Sequence, residues 1–148
     1  MGLADIAPKN IAELGSEVEL LHPTTNARMG VFLILCGSDS DTFRGIIRRQ
    51  QNRRLERTKQ ARNNKPAPLT PEELEEESMD LLVGCTKGWL TRIKDEKGIV
   101  TERQELDISN DEWLPCTPDN IRRLYNEVPW VKEQADYAIG DRSNFLKR

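Results

Sequence analysis

The chain has 148 residues, of which 36% are hydrophobic, 5% aromatic and 32% charged, and its net charge is −3. That length and balance fit one domain with a modest core and much solvated surface, and argue against a large enzyme built around a deep cavity. The slightly acidic sum gives no general attraction to nucleic acid or anionic membrane, and no run of about 18 apolar residues is present to span a bilayer.

Three cysteines, Cys36, Cys85 and Cys116, stand far apart and are odd in number. They read as free thiols of a reducing cytoplasm. The N-terminus lacks a basic region followed by an apolar core, so no secretory leader is expected. Residues 1–15 are mixed in character and are expected to be loosely held, with at most a turn of helix stopped by Gly15. Residues 16–148 are expected to form a single helical domain with an N-terminal β-hairpin.

Ser16 to Cys36 carries that hairpin. Val18, Leu20 and His22 alternate with Glu17, Glu19 and Leu21, and His22-Pro-Thr-Thr-Asn-Ala-Arg28 has turn chemistry. Gly30-Val-Phe-Leu-Ile-Leu-Cys36 is a continuous apolar run of strand length. Two strands alone are marginal in water, so the hairpin must pack on a helix or pair with another subunit.

Gly37-Ser-Asp-Ser-Asp-Thr-Phe43 ends the strand and opens a helix, with several short oxygen-bearing side chains able to cap it. Phe43, Ile46, Ile47, Gln51 and Leu55 share one face, after which the apolar stripe is lost. Between Arg44 and Lys65 stand nine basic residues and one acid, Glu56, and the helix is expected to reach Asn63. The breaker Lys65-Pro-Ala-Pro-Leu-Thr-Pro71 follows. Thr70, Pro71 and Glu73 then form a capping box with proline in the first turn. Leu74, Ser78, Leu81, Leu82, Cys85 and Trp89 recur at helical steps and predict one seam from Leu74 to Trp89. The first turns of this helix hold Glu72, Glu73, Glu75, Glu76, Glu77 and Asp80, so a basic helix and an acidic one are expected to lie antiparallel.

Lys87 to Glu112 supports two readings: a small hairpin turning at Gly98, or a charged excursion. Thr117 and Pro118 restart a helix with Ile121, Leu124, Tyr125 and Val128 on its face. Pro129 breaks it and starts a terminal helix, expected to run through Phe145. The fold class is therefore α+β, mainly α-helical: an N-terminal β-hairpin, an antiparallel helical hairpin and two C-terminal helices.

Catalysis needs converging polar groups, and the chain has one histidine, His22, beside a turn proline. No nucleophile elbow and no glycine-rich phosphate loop occurs. Ser38-Asp-Ser-Asp41 has too few spaced oxygens for a calcium loop and is better read as capping. The cysteines lack zinc spacing. No catalytic, cofactor or metal residue is expected, and the chain is not expected to be an enzyme. The functional rival is the arginine run, in which Arg48, Arg49, Arg53, Arg54 and Arg57 would contact nucleic acid phosphates as a small regulator. No aromatic interleaves it, and the acidic helix can neutralise it, so nucleic acid is disfavoured as a partner.

Four motifs taken in order resemble the tail assembly chaperones of long-tailed bacteriophages. They are Glu19-Leu-Leu-His-Pro-Thr-Thr25 with Gly30-Val, Ser38-Asp-Ser-Asp-Thr-Phe43, Gly84-Cys-Thr-Lys-Gly-Trp89, and Asn120 to Phe145 with Pro129-Trp130 and Asp141-Arg-Ser-Asn-Phe-Leu146. They span residues 16 to 146. The charged stretch from Lys94 to Glu112 is longer than that pattern leads one to expect. The resemblance implies a non-catalytic assembly factor of the host bacterial cytoplasm. Such a factor keeps the tape measure protein soluble, helps recruit tail tube subunits and is absent from the finished virion. Many of the family are also made in a longer, frameshifted form. A surface for the client or for self-association is expected at Trp130, Val131, Ala138, Phe145 and Leu146.

Overall fold

The computed structural model describes residues 9–61 and 68–145. Ser16–Leu21 (β1) and Arg28–Leu35 (β2) pair antiparallel. Asn26 adopts a left-handed φ of 59° in the turn between them, where an asparagine is tolerated. The apolar run of β2 does not lie at an edge. Thr86–Lys94 (β3) pairs with its other side, and Val100–Arg103 (β4) completes a four-stranded sheet in the order β1-β2-β3-β4.

This corrects the expected Leu74–Trp89 helical seam. The helix ends at Cys85, and Trp89 stands on β3 opposite Leu33. The change of structure has a local cause. Thr86 leaves the helix in an extended conformation while its hydroxyl still donates to the Leu82 carbonyl. Gly88 would weaken a helix, and Thr91 and Ile93 favour strand. Of the two readings of the next stretch, the hairpin is the one formed. Asp95 Oδ1 accepts from the Lys97 and Ile99 amides, and Gly98 takes a φ of 81° in the turn. A further pair, Glu105–Asp107 (β5) with Trp113–Pro115 (β6), was not anticipated. It is tied to the sheet by Trp89 Nε1 donating to the Leu114 carbonyl at 3.0 Å.

Five helices complete the described residues: Lys9–Leu14 (α1), Asp41–Gln60 (α2), Pro71–Cys85 (α3), Pro118–Glu127 (α4) and Pro129–Gly140 (α5). The capping signals act as written. Ser40 Oγ accepts from the Phe43 amide, Thr70 and Glu73 form the reciprocal box, and Thr117 accepts from Asn120. Residues expected to be loosely held are anchored in their described part. Ala12 of α1 is fully buried, and the Glu13 carboxylate accepts from the Thr42 amide and hydroxyl. α2 ends at Gln60 with Ala61 extended, short of Asn63, which lies outside the described residues. α5 stops at Gly140 and does not continue to Phe145. Asp141 turns out of the helix and its carboxylate accepts from the Ser143 amide and hydroxyl, starting a 3-10 turn over Arg142–Phe145.

One face of the sheet, with Leu33, Leu35 and Trp89, packs on Leu82 of α3, Leu124 and Tyr125 of α4, and Val131, Ala135, Ala138 and Ile139 of α5. Arg122 holds α4 to α3 through Glu76 and Asp80. No helix among the described residues is long and apolar enough to cross a membrane.

Candidate functional site

The α4–α5 junction sets the geometry. Val128 closes α4, and Pro129, at the start of α5, needs no helical partner for its nitrogen. Trp130 is thereby left half-buried beside the sheet, with Val131 turned fully inward. Opposite them stand Leu20 of β1 and Met29 and Val31 of β2, while Leu106 and Ile108 close the far wall. These side chains enclose a cavity of about 140 Å3. A dry apolar cavity of roughly 150 Å3 accepts one aromatic ring. Met29, 43% exposed, stands at its mouth. Asp107 is the one charged lining residue, and its carboxylate already accepts the Asp111 amide. The arrangement has the size and lining to take an apolar side chain.

Further along α5, Val18 and Leu21 of β1 face Gln134, Tyr137 and Ala138 across a groove of about 410 Å3. Gln134 works there as a substitute strand. Its Oε1 accepts from the Leu21 amide at 3.0 Å, and its Nε2 donates to the Leu21 carbonyl at 2.7 Å. A free edge is thus closed at its end without a further strand. Tyr137 is 77% exposed above the groove.

The expected client residues therefore separate. Trp130 and Val131 line the cavity, and Ala138 lies at the groove floor. Phe145 is 1% exposed and cannot be a contact surface in this conformation, which corrects the sequence reading. Val131 and Ala138 are likewise buried, so they can shape a pocket but cannot project from it. Leu146 lies outside the described residues. Sequence reasoning missed Met29, Val31, Leu106 and Ile108. Only the uninterrupted apolar run of β2 signalled any of them.

The arginine run separates too. Arg54 pairs with Glu77 and Arg57 with Glu73, across the two helices. Arg48, Arg49 and Arg53 make no ion pair among the described residues. His22 Nδ1 accepts the Thr24 and Thr25 amides and so organises its own turn.

The thiols sit in apolar surroundings. Cys36 and Cys85 are fully buried, and the Cys36 amide donates to the Cys85 carbonyl. Burial pushes the Cys85 thiol up to about 12 and that of Cys116 up to about 11, from an ordinary 9.0. Burial also raises the Tyr125 hydroxyl, against the opposing hydrogen bond with Thr86. Between the ordinary and the raised values the unfolded chain loses these protons while the native state keeps them, so stability falls as pH rises. Thermal melts should be level between pH 7 and 8 and drop progressively above the ordinary thiol value of 9.0. Cys116→Ser should reduce that drop. A melting temperature unchanged to pH 11 would contradict the burial of these groups.

Fold and cavity together define an α+β domain with an apolar cavity between a sheet and a helical junction. No family model matches the chain, and no curated protein and no solved structure matches it.

Proposed function

We propose that this chain is a tail assembly chaperone of a long-tailed bacteriophage. In this reading it acts in the host bacterial cytoplasm without catalysis, binds the tape measure protein and helps recruit tail tube subunits. The observation that carries the reading is the open apolar cavity beneath Trp130, with Met29 at its mouth. A long helical client presents apolar side chains at three- and four-residue steps, and a pocket of this size takes one of them. The surrounding charge keeps the complex dissolved. The motif resemblance over residues 16 to 146 supports the same assignment.

The test is co-expression with the tape measure protein. Met29→Glu places a charge at the pocket mouth, on a side chain already 43% exposed, so the fold should be retained. The expected result is a severalfold fall in soluble client and loss of co-purification, with a near wild-type melting temperature. Unchanged client solubility would remove the reading.

The alternative, a nucleic-acid-binding regulator, loses two of its five cations to Glu73 and Glu77 and rests on Arg48, Arg49 and Arg53. A gel shift at two salt concentrations tests it. Salt-sensitive retention abolished by Arg48→Ala with Arg49→Ala would favour it over the chaperone.

A further inference from the structure

The fold sets two of the three cysteines against each other. Leu35 of β2 stands opposite Thr86 of β3, so Cys36 and Cys85, one residue further on each side, are opposed, and the Cys36 amide donates to the Cys85 carbonyl at 2.8 Å. Residues opposed in an antiparallel pair have Cα atoms about 4.5–5.5 Å apart, inside the roughly 4.4–6.8 Å that a disulfide spans. Both side chains are fully buried, and both thiols feel the same two charges, Glu13 and Lys87. Cys85 also feels Cys36, so the two sulfurs share one site. Cys116 has no such company, and burial alone acts on it.

The apolar setting of this site is broken on one side. Cys36 Sγ donates to the Glu13 carbonyl at 3.9 Å, and Lys87 Nζ donates to the same carbonyl. The Lys87 ammonium and the Thr42 hydroxyl lie within hydrogen-bonding reach of the Cys36 sulfur. Packing alone asks for neither group. Burial raises the Cys36 thiol, while Lys87 and Thr42 pull it down. The cover on that side is α1, a helix of six residues. A helix so short is marginal by itself. It is fastened by the Gly37 amide donating to the Ala12 carbonyl at 2.9 Å, by the Glu13 carboxylate on Thr42, and by the Glu13–Lys87 pair at 3.8 Å. Lifting α1 removes the burial and leaves the Lys87 cation beside the thiol, the setting in which a cysteine reacts.

We propose that Cys36 and Cys85 form a dithiol–disulfide pair, gated by α1 and oxidised by a small-molecule disulfide of the glutathione class. The Cys36 thiolate attacks one sulfur of that disulfide, whose S–S bond breaks. One thiolate leaves and takes up the proton that Cys36 gave up. Cys85, deprotonated in turn, attacks the Cys36 sulfur of the mixed disulfide and expels the second thiolate. The protein loses two protons and two electrons, and the small disulfide is reduced to two thiols. Cys36 reacts first because Lys87 and Thr42 stand at its sulfur and α1 lies directly over it. The pair stays reduced in a reducing cytoplasm and closes when the load of small disulfides rises. The bridge joins the end of β2 to the end of α3, and so ties the α2–α3 pair at its base.

Incubation of the folded full chain with oxidised glutathione, followed by alkylation and mass mapping, tests this, with far-UV circular dichroism as the control for folding. The expected product carries one intramolecular Cys36–Cys85 bridge and an alkylated Cys116. Cys85→Ser should stop at the mixed disulfide on Cys36, and Cys36→Ser should keep Cys85 as a free thiol. Glu13→Ala releases α1 from Thr42 and Lys87 and should speed oxidation severalfold at a near wild-type melting temperature. The bridged form should melt roughly 5–10 °C above the reduced one, because the bridge closes a loop of about 50 residues. Thiols that resist oxidised glutathione until denaturant is added would overturn the proposal and leave the pair as packing. A bridge through Cys116, a rate indifferent to Glu13→Ala, or a bridged form that melts below the reduced one would overturn it equally.

Discussion

Phe145→Asp should leave the protein unfolded or close to it at 25 °C. The ring of Phe145 lies on Gly37, so close that a Cβ at that position would stand 2.7 Å from Phe145 Cδ2 and 2.9 Å from Ala12 Cβ. The C-terminal turn, α1 and the β2–α2 loop therefore meet at one point. Truncating a buried phenylalanine costs about 3–5 kcal/mol. Placing an unpaired carboxylate there adds several kcal/mol more. Against a total stability of roughly 5–15 kcal/mol, little remains. Phe145→Leu keeps the apolar contact and should cost far less. Gly37→Ala should destabilise by about 1–3 kcal/mol through overpacking. Its effect should be non-additive with Phe145→Ala, because removing the ring clears the space. Denaturant titration of these four variants and of the Gly37→Ala, Phe145→Ala double variant checks this. Near wild-type stability of Phe145→Asp would place the ring at the surface, where the sequence reading had put it.

The terminal motif thus has a structural account apart from any client. Asp141 caps the turn, Asn144 Nδ2 donates to the Ala138 carbonyl at 3.1 Å, and Phe145 is delivered to Gly37. Periodicity identified Phe145 as apolar and facing something, but it does not say whether that something belongs to the same chain. The same limit explains the cavity. Trp130 was visible as an expected client residue beside a helix-starting proline. Its neighbours come from β2 and from the β5 region, and no local spacing rule joins segments so distant in sequence.

What was legible in the chain is what local chemistry controls. The His22–Ala27 turn, the cap at Thr70 with Pro71 and Glu73, and the Thr117-Pro118 start each act through atoms within a few residues. The misread segment shows the converse. Ser78, Leu81, Leu82, Cys85 and Trp89 keep a helical step, yet the last of them lies on β3. The local signals against a helix, Gly88, Thr91 and Ile93, are weak ones, and the stronger signal was indirect. A strand as uniformly apolar as β2 needs neighbours on both sides, and Thr86 to Ile93 was the segment available to supply the second.

Trp89 gives that correction its sharpest consequence. On a helical seam it would be one of several equivalent contacts, and its loss would be absorbed by its neighbours. On β3 it stands opposite Leu33 at the centre of the sheet, 1% exposed, and its indole nitrogen holds the β5–β6 pair through the Leu114 carbonyl. Trp89→Ala should therefore cost about 3–5 kcal/mol from lost packing and the cavity left behind. Trp89→Phe retains most of the packing but strands the Leu114 carbonyl. That loss amounts to about 1–3 kcal/mol if the carbonyl stays dry. The two variants should also differ in where they act. Amide hydrogen exchange in Trp89→Phe should accelerate in residues 105–115 before the rest of the sheet, because one of the two side-chain bonds from β3 to that pair is gone and only Thr91 donating to the Glu105 carbonyl remains. Leu106, a wall of the cavity, belongs to the same pair. Loosening it should therefore weaken client binding without touching Met29 or Trp130. If Trp89→Phe leaves exchange in that segment at the wild-type rate, the indole bond does not couple the pair to the sheet, and the cavity wall must be held by packing and by Thr91 Oγ1 donating to the Glu105 carbonyl.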